Sequence, residues 1–313
     1  MLRAAAGSEG PPVNCCPDRP LISVITAVYN CEAFLAEAIA SVLAQSYPHW
    51  EYWLVDDGST DGTTAIVRQA AAALPDRIHC LEHPGFQNRG LCSSRNLALT
   101  HARGNYVALL DADDRWLPHK LAEQVALALR FPQAGLIYGN SEYWLDWSGD
   151  PKDVGKNYIP PLAPGDRLYQ PPELMRLPHG FGVPCPSDML LQRELFSKLG
   201  GCDESFDPYL SLFEDHAMLT KIYLTAPVYV SNRCWDRYRI HPASIGGVAA
   251  RTGAIPALRR HYLEWLRNYL VEQNVNDEII WREWRQASLF YRHPVLHFLK
   301  RGTRRLKRTL RLA

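Results

Sequence analysis

Tyr106-Val107-Ala108-Leu109-Leu110-Asp111-Ala112-Asp113-Asp114 reads as an apolar strand that ends in a cluster of acids. In an extended segment, residues two apart project to one side, so Asp111 and Asp113 face a common point. Their hard carboxylate oxygens suit magnesium or manganese, ions that keep positions open for substrate phosphates. Without an ion, clustered acids repel one another and cost stability. A D-x-D triplet is frequent by chance; the strand directly before it gives this one its weight.

Upstream, Leu21 to Val28 reads as a buried first strand. Phe34, Leu35, Ala38, Ile39, Val42 and Leu43 follow at helical spacing. Tyr52 to Val55 is a second strand, ended by Asp56-Asp57-Gly58-Ser59. A helix over Thr63 to Ala73, a strand over Arg77 to Leu81 and a helix over Leu91 to His101 come next. Pro118 suits the first turn of a helix reaching Leu129. This alternation predicts an α/β domain with a mostly parallel central sheet flanked by helices. Residues 141 to 186 are rich in Pro, Gly and aromatics and show little periodicity. Order returns with Asp188 to Gln192, a helix near Leu212 to Leu224, and Val228 to Ile240. From Ala257 onward the pattern is helical.

Ligands of open parallel sheets bind beyond the carboxyl ends of the strands. Tyr29-Asn30, Asp56-Asp57 and Asp111 to Asp114 all fall there. One acidic dipeptide at a strand end closes a turn or caps a helix as readily as it binds anything; three polar loops on one rim are harder to dismiss. A dehydrogenase places a Gly-rich turn after its first strand, where this chain has Tyr29-Asn30-Cys31. The phosphate-cradling P-loop pattern is also absent. A nucleotide diphosphate bound here therefore needs another source of positive charge, which a carboxylate-held divalent ion supplies.

Ser23-Val24-Ile25-Thr26-Ala27-Val28-Tyr29-Asn30, Ala40-Ser41-Val42-Leu43-Ala44-Gln45-Ser46-Tyr47 and Val55-Asp56-Asp57-Gly58-Ser59-Thr60-Asp61-Gly62-Thr63 resemble the opening of the family two glycosyltransferases, which have the GT-A fold. Asn88-Arg89-Gly90 with Ser94-Arg95-Asn96, and Leu110-Asp111-Ala112-Asp113-Asp114, continue the likeness in order. It covers about Leu21 to Gly246. The resemblance implies an inverting, metal-dependent transferase that moves one sugar from a nucleotide-diphosphate donor, commonly UDP-linked. Ala27, Tyr29, Asp57, Arg95, Asp111 and Ala112 are the nucleotide-sugar contacts it implies. The Tyr29 ring lies against the base, Asp57 accepts a hydrogen bond from it, Arg95 steadies the loops or a phosphate, and Asp111 holds the ribose side. Asp113 ligates the Mn2+ or Mg2+. On the residues alone, a core position for Tyr29 and a salt bridge from Arg95 to Asp56 or Asp57 stay open.

Inverting transfer needs a base for the acceptor proton. By the same resemblance Asp215 is that base and Glu214 its neighbour; capping of a helix start by both acids is the alternative. Asp188 and Asp203 are the fallback bases. His241, in Tyr238-Arg239-Ile240-His241, is a metal ligand or a structural histidine. Trp144, Trp147, Tyr143 and Tyr158 either stack on acceptor sugars or fill the core. The Gln-x-x-Arg-Trp motif and membrane spans of processive relatives are missing from this sequence, which favours single addition. The implied division is a flexible tail over 1–20, a GT-A domain over 21–248, and a helical extension over 249–313. Within the domain, 21–131 is the nucleotide-binding half and 132–248 the acceptor half.

The bulk numbers fit one catalytic domain: 313 residues, 47% apolar. No apolar run reaches the roughly eighteen residues that cross a bilayer. No secretory signal is expected from the first twenty residues. Eight cysteines without metal-ligand spacing, including the vicinal Cys15-Cys16, suit reduced thiols in a cytoplasmic protein. The net charge of +1 hides an asymmetry, because Trp281 to Ala313 carries +9 and the rest −8. Leu296, Leu299, Leu306 and Leu310 form a stripe among these basic residues. That pattern predicts peripheral contact with an anionic membrane through 292–313; a C-terminal helix packed on the core and nonspecific nucleic-acid contact are the alternatives. The partners expected are a sugar-nucleotide donor and a glycan or lipid-linked acceptor, with no nucleic acid. A catalytically inert nucleotide-sugar or glycan-binding module and a nucleotidyltransferase are the competing readings. The second requires a Gly-rich basic loop after the first strand, and none is present.

Overall fold

The computed structural model describes residues 19–178, 182–207 and 211–292. Most of the expected basic tail, from residue 293 onward, lies outside them. So do residues 1–18 of the expected flexible N-terminal tail.

β1 (Ile22–Val28), α1 (Leu35–Leu43), β2 (Trp50–Asp56), α2 (Thr63–Ala73), β3 (Ile78–Glu82), α3 (Leu91–His101) and β4 (Tyr106–Leu109) alternate along the chain. All four strands pair in parallel, in the order β3-β2-β1-β4. β1 and β2 read as nearly continuous apolar runs because both of their faces are covered. Ile25, Trp53, Val55, Val107 and Leu109 enter one core with Cys92 and Ala98 of α3. The alternate residues Val24, Val28, Leu54 and Ala108 enter a second core with Leu35, Ile39 and Val42 of α1 and Val67 of α2.

The second half adds β5 (Arg115–Trp116), α4 (Lys120–Arg130), β6 (Leu136–Trp144), β7 (Arg167–Tyr169), β8 (Leu190–Gln192), α5 (Arg193–Lys198), α6 (Glu214–Thr225), β9 (Val228–Arg239), α7 (Ile245–Thr252), α8 (Ile255–Glu272) and α9 (Glu278–Arg292). The sheet continues β4-β8-β6-β9-β5, with β7 also along β9. β8 is antiparallel to both β4 and β6, and β5 and β7 are antiparallel to β9, while β6 and β9 run parallel. The first four strands are all parallel, β6–β9 adds one more parallel pair, and the sheet as a whole is mixed. The β6–β9 register slips beside Gly139, where an added Cβ would meet the Arg233 carbonyl at 2.4 Å. A residue without a side chain lets the two backbones approach there.

Met218 and Ile222 of α6, Leu263 and Leu266 of α8, and Ile280 and Trp284 of α9 extend the α3 core. The C-terminal helices therefore share a core with the sheet. Among the described residues, no helix is long and apolar enough to cross a membrane, and the six described cysteines are free thiols.

From β1 the chain winds outward to β2 and β3, then returns to the opposite side of β1 as β4. At such a reversal the connections after β1 and β4 leave in opposite directions and open a crevice. The Tyr29, Asp57 and Asp111 loops all begin at this rim.

Candidate active site

The turns after β1 and β2 are tied side by side, since the Asp57 N–H donates to the Val28 carbonyl at 2.9 Å. Asn30 adopts a left-handed φ of 49°, which its short polar side chain tolerates, and its Oδ1 accepts the Thr60 N–H at 2.7 Å. Tyr29, on the same turn, is 50% exposed. It is a rim residue and not a core aromatic. Ala27 is half-buried just before it.

The two acids after β2 do different work. Buried Asp56 accepts the Ser59 N–H at 2.9 Å and the Thr64 hydroxyl at 2.5 Å, closing the turn into α2. Asp57 accepts the backbone N–H groups of Arg89 at 2.7 Å and Gly90 at 2.9 Å, one on each oxygen. The Asn-Arg-Gly stretch is therefore wrapped around Asp57 by its backbone. Burial pushes the Asp57 carboxyl up, and the two N–H donors pull against it. The buried His83 ring nitrogen also lies 3.5 Å from Asp57 Oδ1. Gly58 makes the turn with φ 80°; a Cβ there would come 2.8 Å from the Phe86 carbonyl.

Arg95 on α3 is the pivot of the site and is 2% exposed. One guanidinium nitrogen donates to Asp111 Oδ1 at 2.6 Å and another to Glu214 Oε1 at 2.7 Å. Its partners are thus neither Asp56 nor Asp57, the two acids nearest in the sequence-based reading. Burial alone would lower its pKa, but Glu214 and Asp111 hold it well above its ordinary value. Burial pushes the carboxyls of both acids up, Glu214 strongly, against the pull of Arg95. Glu214 Oε2 is buried without a hydrogen-bond partner. The loop after α5 fixes α3 in turn. Asp207 accepts the Ser93 N–H at 3.0 Å at the N-terminus of α3, and Asn96 donates to the Cys202 carbonyl at 2.9 Å. Asp203, a fallback base, instead accepts from Ser205 of this loop and Trp265 of α8.

Asp113 is partly exposed, with His241 Nε2 2.8 Å from its Oδ2. His241 is buried, its ring 4.6 Å from that of Phe34. Arg239 donates to the Asp113 carbonyl at 2.7 Å, pairs with Glu37, and lies over the rings of Trp144 and Trp147. Trp144 and Trp147 therefore brace Arg239 and His241. Asp114 points inward and accepts from the Arg239 N–H at 2.9 Å, the Ser187 hydroxyl at 2.5 Å and the Cys185 thiol at 3.4 Å.

Asp111, Asp114 and Cys185 also bring ligand-type atoms within 4.8 Å of one another. Burial holds the Cys185 thiol well above its ordinary value, so it stays protonated, and Asp114 is already occupied by three donors. Hard ions avoid thiols. Asp113 offers an accessible carboxylate at the rim, with His241 Nε2 bonded to it. The rim acids also act on one another, since Asp113 and Asp215 both add to the upward pressure on Asp111.

Asp215 is partly exposed at the start of α6. Phe213 is the N-cap of α6, with a left-handed φ of 74° and no side-chain hydrogen bond of its own to the helix. Asp215 Oδ1 accepts the His216 N–H at 2.8 Å and lies 2.9 Å from His216 Nδ1. Burial raises its carboxyl, but His216 and Arg95 outweigh burial and leave it below the ordinary carboxylate value. Asp188, the other fallback base, is fully buried and accepts the Gly139 N–H; substrate has no access to it. Ser187, Asp207, Arg239 and His216 are contributors that sequence reasoning missed.

The family model of glycosyl transferase family 2 matches residues 23–200. The chain belongs to this family. A putative glycosyltransferase EpsE of Bacillus subtilis (strain 168) is 49% identical over 107 residues, 34% of this chain and 38% of that protein. An Escherichia coli protein named UDP-Glc:alpha-D-GlcNAc-diphosphoundecaprenol beta-1,3-glucosyltransferase WfgD is 36% identical over 125 residues, 40% of this chain and 47% of its own. The chain thus spans less than half the length of these curated relatives. Among solved structures, S. aureus TarS 1-349 superimposes with a TM-score of 0.62 at 18% identity, over 86% of this chain and 72% of TarS 1-349. Its complex with UDP-GlcNAc gives 0.58 at 18% identity, over 85% and 79%. The mannosyltransferase PcManGT of Pyrobaculum calidifontis, with GDP-Man and Mn2+, gives 0.53 at 20% identity, over 91% and 80%. These likenesses show a GT-A-like fold.

Arg95→Ala is expected to cost about 3–5 kcal/mol in urea unfolding, because it leaves Glu214 buried without its partner. Adding Glu214→Gln should recover part of that loss, as coupled sites do. A cost within about 1 kcal/mol, as for an exposed pair, would contradict this pivot role.

Proposed function

We propose that the protein is an inverting glycosyltransferase that moves one sugar from a UDP-linked donor to a hydroxyl of a glycan or lipid-linked acceptor. One observation carries the reading: a single buried arginine ties Asp111 of the acidic rim to Glu214, the neighbour of Asp215. Donor-binding and proton-accepting groups are thereby held in one frame. The relatives whose names mention UDP-linked sugars or lipid-linked glycans support the donor and acceptor classes.

In this reading Tyr29 offers its exposed face to the base, beside Ala27, and Asp57 accepts a hydrogen bond from the base edge. Asp111 and Ala112 border the ribose and diphosphate. Asp113, with His241, would hold Mn2+ or Mg2+, which when bound offsets the charge of the departing diphosphate. Asp215, kept ionised by His216, takes the proton of the acceptor hydroxyl as its oxygen attacks the anomeric carbon. The bond to the diphosphate breaks on the opposite face, and its electrons leave with the phosphate oxygen. Residues 21–131 form the nucleotide half and 132–248 the acceptor half. Transfer takes place in the cytoplasm, with residues 292–313 against the membrane.

Asp113→Ala is expected to abolish Mn2+-dependent UDP release, measured by a coupled assay. Asp215→Asn should keep UDP binding and lose transfer by about 100- to 10,000-fold. Near-normal turnover of Asp215→Asn would reassign the base. The pH profile gives an independent check. A base with a depressed pKa stays active until pH falls below the usual carboxylate range. His216→Gln removes the main opposing influence, so Asp215 should rise and the acid limb of kcat/KM move to higher pH. An unmoved limb would contradict the assignment.

A further inference from the structure

A cavity of about 370 Å³ opens beside His216, the residue next to the proposed base. His216 lines it and is also the residue whose Nδ1 contacts Asp215. The rest of the wall is mostly apolar or aromatic, with Tyr138 and Tyr143 from β6, Tyr223 from α6 and Tyr262 from α8. Tyr138 and Tyr223 already bond to each other, and Tyr262 to Thr220. Such a wall offers flat ring faces and few free polar groups, which suits stacking against a sugar ring.

One full charge interrupts it. Arg259 of α8 lines the cavity, its guanidinium 5.2 Å from the Phe213 ring centroid and 6.0 Å from that of Tyr262. Among the described residues it has no carboxylate partner and no hydrogen bond. Aromatic faces orient a guanidinium but do not neutralise it. A half-buried cation in such a wall gains most from an anion brought by a ligand, and a planar guanidinium matches phosphoryl oxygens.

We propose that Arg259 selects an acceptor carrying a phosphoryl group, which it receives while the acceptor sugar occupies the tyrosine-lined cavity and presents a hydroxyl to Asp215. The inference rests on the reading of Asp215 as the base and adds the chemical class of the acceptor.

The test is calorimetric titration of the full chain with UDP and Mn2+ saturating the donor site. The probes are undecyl glucosyl phosphate, neutral undecyl glucoside, undecyl glucuronide and inorganic phosphate. Wild type should bind the phosphate diester about tenfold or more tighter than the neutral glucoside. Arg259→Gln should erase that difference, and Arg259→Lys should retain part of it. Slow UDP release from the donor in the absence of acceptor should be the same in Arg259→Gln as in wild type. An equal preference in wild type and Arg259→Gln overturns the role of Arg259. A preference for the glucuronide overturns the phosphoryl assignment. Inorganic phosphate that binds as tightly as the diester, with the same Arg259 dependence, shows a free-anion site and also overturns it. Should wild type bind no UDP, the functional reading fails separately, and the probe titrations without UDP still report on Arg259.

Discussion

A guanidinium cannot be buried without anions, and Arg95 obtains two, from opposite halves of the molecule. Asp111 follows β4, at the edge of the parallel half, while Glu214 opens α6 in the mixed half. Removing either partner leaves charge stranded in a medium that stabilises it poorly. The triad is therefore less a source of net stability than a constraint on geometry. The polar loop of Cys202 to Asp207 holds the N-terminus of α3, and α3 holds Arg95. What looks like remote loop chemistry is the mount for the centre of the site.

The rim left around that pivot carries more negative charge than the protein itself offsets. Arg95 is shared between two acids, Arg239 is committed to Glu37 and to the Asp113 carbonyl, and Asp113 and Asp215 remain accessible. An excess of carboxylate at a crevice mouth invites a cation, and a cation there invites a phosphate. Asp114 turns away from that chemistry and fastens β9 to the loop before β8. Adjacent acids in one sequence motif thus divide between substrate and scaffold, as Asp57 and Asp56 do after β2.

Much of this was legible in the sequence where neighbours in the chain decide the structure. α2 and α3 fall on the expected bounds, because their apolar periodicity and flanking Gly and Asp residues are local. The strand-end loops at Tyr29, Asp57 and Asp111 meet at one rim because parallel strands share a direction. The partners of Arg95 were not legible, since Glu214 lies 119 residues away. Only the folded sheet brings them together. Asp207 capping α3 across 114 residues was hidden for the same reason. β5 is two residues and β7 three, too short for a period to register. The cavity beside His216 is assembled from β6, α6, α8 and the segment near Leu174, so no stretch of sequence announces it.

Anomalous scattering from manganese, in crystals grown with UDP and Mn2+, tests the central claim most directly. The account predicts one ion on the carboxylate of Asp113, in contact with the diphosphate, with uracil stacked on Tyr29. An ion seated among Asp111, Asp114 and Cys185, or UDP bound away from the rim, would contradict it.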